Sequence, residues 1–462
     1  MVSGPEVIAA HYEEVSPFWK SHKRPFYVPS LKNYLVMVSS DAQIKELVEA
    51  PETVLSLHAV AKDLFKPKYT MNDFEVHDQM AANGSMHFRV LRTLLTASLP
   101  RIMPELRQVS HVALQRELAK GSIGSQGYGW TKLHLFDTAK RLVSAVNSHI
   151  FFGEELTNDA DFRDAALAYP QDVFVTGEIL QFTPSLFARP VAALCTRRGK
   201  AMKTLLRYLV PVVDKRIKSR DLDIPPSEKP RDCIQWVIDS SPTKERWTTK
   251  KTVQEILALW FGSVHQLSMS FVYAMFDLVD NPDYIKLLRE EMAAASPASG
   301  AGGGDWLASL DGLQLLDSFL RESARLHPSD SISVRRMALS DYRLGDGTLI
   351  PRGAWACVPQ RAIQRDPALY PNPDAFDGHR HLGSAESPPA LLTDPSPKFP
   401  LWGLGKRTCP GRFYAASVLK MMVGSMLQDY DFAVEAPQGK RVFTWRSAIV
   451  PRSDVVIEIR PL

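Results

Sequence analysis

Cys409 stands in the stretch FPLWGLGKRTCPGRFYAASVLKMM (residues 399–422), between a glycine-containing loop and a long apolar run. A cysteine so placed can pack, form a disulfide or hold a metal ion. Pro410 suits the first turn of a helix, which puts Cys409 just before a helix N-terminus. There the helix dipole and the N–H groups of the loop favour a thiolate, the form that ligates metals. Gly403 and Gly405 permit a tight turn and the close approach of a flat ligand. Structural burial is the common fate of a free cysteine, and the loop alone leaves that alternative open. A second pair able to do chemistry lies in SFLRESARLHP (318–328), where Glu322 and Arg325 are three apart and share a helix face. By itself such a pair reads as a solvated ion pair worth little.

These residues need elements to hold them. The chain has 462 residues, 45% of them hydrophobic, which is ample for a large core. Its 55 Lys+Arg nearly balance 51 Asp+Glu, so nucleic acid is not suggested as a partner. Apolar residues recur at helical spacing in 84–99, 132–152, 197–219, 249–280, 283–293, 312–327 and 412–429. Short β-like runs occur at 35–39, 348–358 and 455–459. The expected class is therefore helix-rich α+β, mainly α with small sheets. Pro/Gly/Ser-rich stretches at 224–232, 295–305 and 383–400 read as loops. No boundary divides the chain convincingly, so residues 1–462 are read as one domain. Four scattered cysteines, Cys195, Cys233, Cys357 and Cys409, argue against a disulfide framework or a paired-cysteine zinc site and favour a reducing compartment. No signal peptide and no uninterrupted membrane-length apolar run is evident, so the chain as it stands reads as soluble and cytoplasmic.

The loop around Cys409 resembles the haem-binding signature of the cytochrome P450 superfamily. Trp402, Gly403, Gly405, Arg407, Cys409 and Gly411 match that signature, with Trp402 where the family usually has phenylalanine. Glu322 and Arg325 resemble the family's Glu-x-x-Arg helix, and PNPDAFDGHR (371–380) resembles the segment that brings Arg380 to that pair as a buried brace. Arg336, in VRRMALSDYRLGDGTLIPRGAWACV (334–358), is similar to an arginine that reaches a haem propionate. His87 and Arg92, in SMHFRVLRTLLTASL (85–99), resemble propionate contacts on an early helix, His87 having the alternative of an ordinary surface histidine. The resemblance covers most of the chain from about residue 25 and implies the P450 fold, with haem b between a long distal helix and the Cys409 helix. Cys409 would ligate the iron.

The distal helix would be TVQEILALWFGSVHQLSMSFVYAMFDLV (252–279), buried and continuous, with the small residues Gly262 and Ser263 passing over the ring. Gln266 replaces the family's usual threonine. The resemblance therefore leaves proton delivery to His265, Gln266, water or the substrate, with plain helix packing as the alternative for both residues. Phe174, Trp260, Phe261, Ser263, Ile332 and Ile449 are the expected pocket residues by the family's layout, a mostly apolar set. The activity implied is that of a haem-thiolate monooxygenase using O2 and electrons from NADPH through NADPH-cytochrome P450 reductase. The chain looks most like fungal members that oxidise lipophilic secondary metabolites such as terpenoids, polyketides or alkaloids. A reductase-independent haem-thiolate isomerase or peroxygenase and a non-catalytic haem protein are the alternatives. Eukaryotic members usually begin with an anchor helix, whereas the first β-like segment here starts at residue 24. The expectation is an anchor missing from this chain and a native protein on the endoplasmic reticulum membrane.

Overall fold

The computed structural model describes residues 4–19, 24–30, 34–76, 86–120, 129–222, 225, 228–242, 246–296, 306–385, 387–435 and 440–462. The loops read at 224–232 and 295–305 lie partly outside these. The chain gathers into two compact units. One holds Met1–Leu57, Gln115–Ala139 and Met269–Leu462, and the other His58–Leu114 and Lys140–Ser268. Among the described residues helices predominate and the strands form small sheets, as the sequence pattern requires.

In the first unit a five-stranded sheet runs in the order Phe26–Pro29, Tyr34–Met37, Trp355–Val358, Ser333–Ala338 and Leu55–Ser56. The pairing of Tyr34–Met37 with Trp355–Val358 is parallel and the others are antiparallel. Val36, Met37, Ala356, Cys357 and Val358 are buried in one cluster with Ile44 and Leu47 of helix Asp41–Glu49. Such apolar runs, covered on both faces, make rigid strands. Strand Ser333–Ala338 carries Arg336, and the turn before Leu55–Ser56 carries Glu52.

Helix Arg412–Asp429 is buried almost all round, with Tyr414, Val418, Leu419, Met422, Val423 and Met426 covered. A Cβ at Gly424 would lie 2.4 Å from the Trp306 ring, so glycine is what lets the indole pack there. Lys420 on this helix meets Asp317 of helix Gln314–Leu326 at 2.5 Å, both buried. Asp317 also accepts the Leu392 N–H at 2.6 Å, which satisfies its second oxygen.

In the second unit the helix Ala160–Leu180 contains Pro170, whose missing N–H leaves the carbonyl of Ala166 without its helical donor. Trp260 Nε1–H supplies that donor at 2.9 Å. The Trp260 ring also packs against Phe151 and Phe152, with centroids 5.7 and 4.9 Å away. Two patterns departed from the sequence reading. The helix expected over 84–99 runs on to Ala119 through Pro100 and Pro104, after a π-helical stretch at Arg89–Leu95. The helix expected to be continuous over 252–279 is broken into Thr249–Phe261 and His265–Asp280.

Candidate functional site

The Cys409 loop is shaped by two left-handed glycines, Gly403 at φ 71° and Gly405 at φ 63°. A Cβ on Gly405 would lie 2.3 Å from Val48, so backbone conformation and space both require glycine there. The loop closes through Cys409 N–H donating to Trp402 O at 2.7 Å and Thr408 N–H to Gly405 O at 3.1 Å. Trp402 Nε1–H donates to Leu392 O at 2.7 Å, a tether that a phenylalanine could not make. Arg412 fastens the same region by donating to Thr393 O and Cys409 O at 3.1 and 3.2 Å.

The Cys409 sulfur faces the first turn of helix Arg412–Asp429, where the N–H groups of Gly411 and Arg412 point at it. Burial nevertheless raises its pKa and outweighs those N–H groups and the Arg412 charge. The N–H groups that the sequence reading expected to favour the thiolate are in place, and a metal cation bound to the sulfur would act in the same direction as they do, against the effect of burial.

Near this loop, within the same unit, Arg407 donates from Nε and Nη2 to Glu52 Oε2 at 3.0 and 2.8 Å. Arg336 is buried, donates from Nη1 to Arg335 O at 2.8 Å, and leaves Nη2 buried with no partner. Its pKa falls to about 10, first because of burial and then because of the Arg407 charge, with Glu52 acting in the opposite sense. A buried guanidinium with an open N–H is a binding point for an anion.

Glu322 and Arg325, both 0% exposed, form a two-pronged pair at 2.7 and 2.8 Å. Arg380 donates to Glu322 at 3.0 Å, Asp377 N–H at 3.2 Å, and His381 lies 3.1 Å from the same carboxylate. Arg325 goes on to the carbonyls of Gln364 and Pro373 at 2.6 and 2.7 Å. Burial alone would raise the Glu322 pKa, yet these donors hold it at about 2. His381 is a member that the sequence reading missed. Its only signal was adjacency to Arg380.

The second unit holds the break between the two apolar helices. Ser263 N–H turns back to Trp260 O at 3.0 Å, and Ser263 O accepts Asn147 Nδ2–H at 2.7 Å. Asn147 is fully buried and was not flagged by the sequence. A Cβ at Gly262 would meet nothing nearer than Leu259 O at 3.8 Å, so the break opens onto free space. Gln266 is exposed, and its side chain makes no hydrogen bond among the described residues. His265 has Nε2 buried without a partner. Its pKa drops to about 4 through burial and then Lys140, against the pull of the Pro170 carbonyl. Its ring meets Phe174 edge-on at 6.0 Å, and Phe174 lies 6.2 Å from Phe261. His87 pairs with Glu255 at 2.8 Å, while Arg92 is exposed and unpaired among the described residues.

Trp260, expected to line the pocket, is a correction. Its ring is fully buried among aromatic side chains and its N–H is consumed by Ala166 O. Ser263 donates its hydroxyl to Trp260 O at 2.8 Å. Ile332 and Ile449 belong to the first unit and are buried, and Ile449 O accepts the Tyr273 hydroxyl at 3.0 Å.

A family model described as cytochrome P450 matches residues 19–457. The chain belongs to the cytochrome P450 family. It is 29% identical over 428 residues to cytochrome P450 monooxygenase 151 of Postia placenta, covering 90% of this chain and 82% of that one. With cytochrome P450 monooxygenase penP of Penicillium crustosum it shares 27% identity over 434 residues, covering 92% and 80%. A retinoic acid-bound cyanobacterial CYP120A1 has the same fold, with a TM-score of 0.71, 16% identity and coverage of 98% and 96%. The protein is thus a cytochrome P450 monooxygenase, an oxidoreductase of a family that carries haem iron.

The residues present fit that cofactor. Cys409 offers one sulfur at a helix start, with backbone N–H groups already aimed at it. Arg336 Nη2, in the same unit, is an orphaned donor suited to a carboxylate.

Proposed function

We propose that this P450 oxidises a lipophilic small molecule, a fungal secondary metabolite such as a terpenoid, polyketide or alkaloid, with O2 and electrons passed from NADPH by NADPH-cytochrome P450 reductase. The reading treats residues 1–462 as one catalytic domain. The observation that carries it is the cradle around Cys409, whose sulfur has two N–H groups directed at it. Haem b, when bound, supplies the oxidising chemistry. Cys409 would be its thiolate ligand, with Arg336, Arg407, Arg92 and His87 as candidate holders of its carboxylates. Trp402, Gly403 and Gly411 shape the ligand loop.

Gln266 and His265 are the proposed proton-handling groups. Gln266 carries separate donor and acceptor atoms on a long arm, so its role is to orient a donor rather than to pass a proton along. His265 is neutral at neutral pH, so it can only hand on a proton that it first receives. Phe174, Phe261 and Ser263 are the proposed lining, and their aromatic surface supports a lipophilic substrate. Glu322, Arg325 and Arg380 brace the fold rather than act in catalysis.

Membrane contact belongs to the same proposal. Phe182, Leu186, Phe187 and Leu194 are more than half exposed on consecutive elements, which supports a site lying against lipid on the endoplasmic reticulum. The stretch Thr249–Asp280 is long and apolar enough to span a bilayer by composition, but 56% of its most apolar window is buried in the protein.

A second reading, a reductase-independent haem-thiolate isomerase or peroxygenase, is favoured by one observation, the absence of a hydroxyl at Gln266. The test is turnover of candidate lipophilic metabolites with NADPH and reductase against turnover with peroxide. Product formed only in the first arm supports the monooxygenase. Product formed only with peroxide overturns it.

A further inference from the structure

Glu52 has no place in the reading above, yet it is the most heavily used acid beside the ligand loop. Its Oε2 takes both Nε–H and Nη2–H of Arg407 at 3.0 and 2.8 Å. Its Oε1 takes the Ser56 hydroxyl at 3.0 Å and the Leu57 N–H at 2.9 Å. Both side chains are largely covered, 14% and 10% exposed for Arg407 and Glu52. A carboxylate held on both oxygens does not swing freely, so the guanidinium clamped to it is fixed in plane and direction.

The backbone explains why Glu52 is there. Val54 and Leu55 turn back onto Pro51 O, each at 2.9 Å, and the chain then enters strand Leu55–Ser56. That strand pairs with Ser333–Ala338, with Ser56 opposite Met337, which brings the turn beside Arg336. Glu52 and Arg407 both act electrostatically on Arg336. The carboxylate of Glu52 thus stands between two guanidiniums, those of Arg407 and Arg336, and acts on Arg336 in the sense opposite to Arg407. The single donor found orphaned in this group is Arg336 Nη2.

We infer that Glu52 is a positioning residue of the cofactor cradle: it fixes Arg407, offsets that charge beside Arg336, and leaves Arg336 Nη2 as the donor offered to a haem carboxylate. This rests on the haem-thiolate reading. The negative charge of Glu52 near the cofactor opposes addition of an electron there. Removing it therefore shifts the reduction potential upward.

The experiment compares wild type, Glu52→Gln, Glu52→Asp and Ser56→Ala, all reconstituted with haem. Two readouts are taken: the reduction potential by spectroelectrochemical titration, and the rate of haem transfer to excess apomyoglobin. Glu52→Gln keeps the shape and loses the charge, so its potential rises and its haem transfer speeds up about tenfold. Glu52→Asp keeps the charge and retains the wild-type potential. Ser56→Ala removes one support of Glu52 without touching Arg407, and stays close to wild type in both readouts. A Glu52→Gln protein with the wild-type potential and transfer rate overturns the inference. So does a Ser56→Ala protein that matches Glu52→Gln, since the role would then be to secure the turn. If wild type itself fails to take up haem, it is the haem-thiolate reading that has failed.

Discussion

Replacing Glu322 tests the buried brace most severely. Five donors converge on its two oxygens, from Arg325 Nε and Nη2, Arg380 Nε, His381 Nε2 and the Asp377 backbone. They take its pKa from the ordinary 4.5 to about 2 in spite of complete burial. At 1.36 kcal/mol per unit that difference is about 3 kcal/mol of folding stability. The sign follows from a depressed carboxyl: the stabilisation is fully present above pH 4.5 and is lost as pH falls from there through about 2. Glu322→Ala also strands Arg325 with three backbone carbonyls and no counter-charge, a loss of about 3–5 kcal/mol. The assay is denaturant unfolding of wild type, Glu322→Gln and Glu322→Ala at a series of pH values. Wild type should lose stability through that acid window more steeply than Glu322→Gln, and Glu322→Ala should yield little folded haem protein. A Glu322→Ala protein within about 0.5 kcal/mol of wild type, with unchanged acid sensitivity, would refute the reasoning.

Gln266→Ala should lower product formed per NADPH consumed by about tenfold, while Gln266→Thr should match or exceed wild type. Equal coupling in all three would make Gln266 a packing residue. Asn147→Ala leaves Ser263 O without its donor and should cost about 1–3 kcal/mol in thermal unfolding, and no change would mean that water replaces the amide. Trp402→Phe removes the tether to Leu392 O and should cost about 1 kcal/mol by the same measure. Trp402→Phe as stable as wild type would show that the tether contributes nothing.

Much of the ligand side was legible because its residue types have few alternatives. Gly403 and Gly405 take positive φ, and Gly405 has no room for a Cβ. The spacing of Glu322 and Arg325 likewise allows one shared face. Less was legible where partners lie far apart in sequence. The stretch 252–279 has the apolar pattern of one helix, but its break is held by Asn147, which is 116 residues from Ser263. Trp260 looks like a pocket aromatic until Pro170 is seen to free the Ala166 carbonyl that its indole satisfies. The helix expected over 84–99 continues through Pro100 and Pro104 to Ala119. Glu52 sits in a turn of unremarked composition, and only the pairing of Leu55–Ser56 with strand Ser333–Ala338 brings it to the arginines.

The most direct measurement is the visible spectrum of the ferrous carbon monoxide complex of the haem-reconstituted protein, for wild type and Cys409→Ala. A thiolate trans to carbon monoxide gives a strongly red-shifted Soret band. The expected result is that band in wild type and its loss in Cys409→Ala. A wild-type spectrum like that of a histidine-ligated globin would contradict the assignment of Cys409.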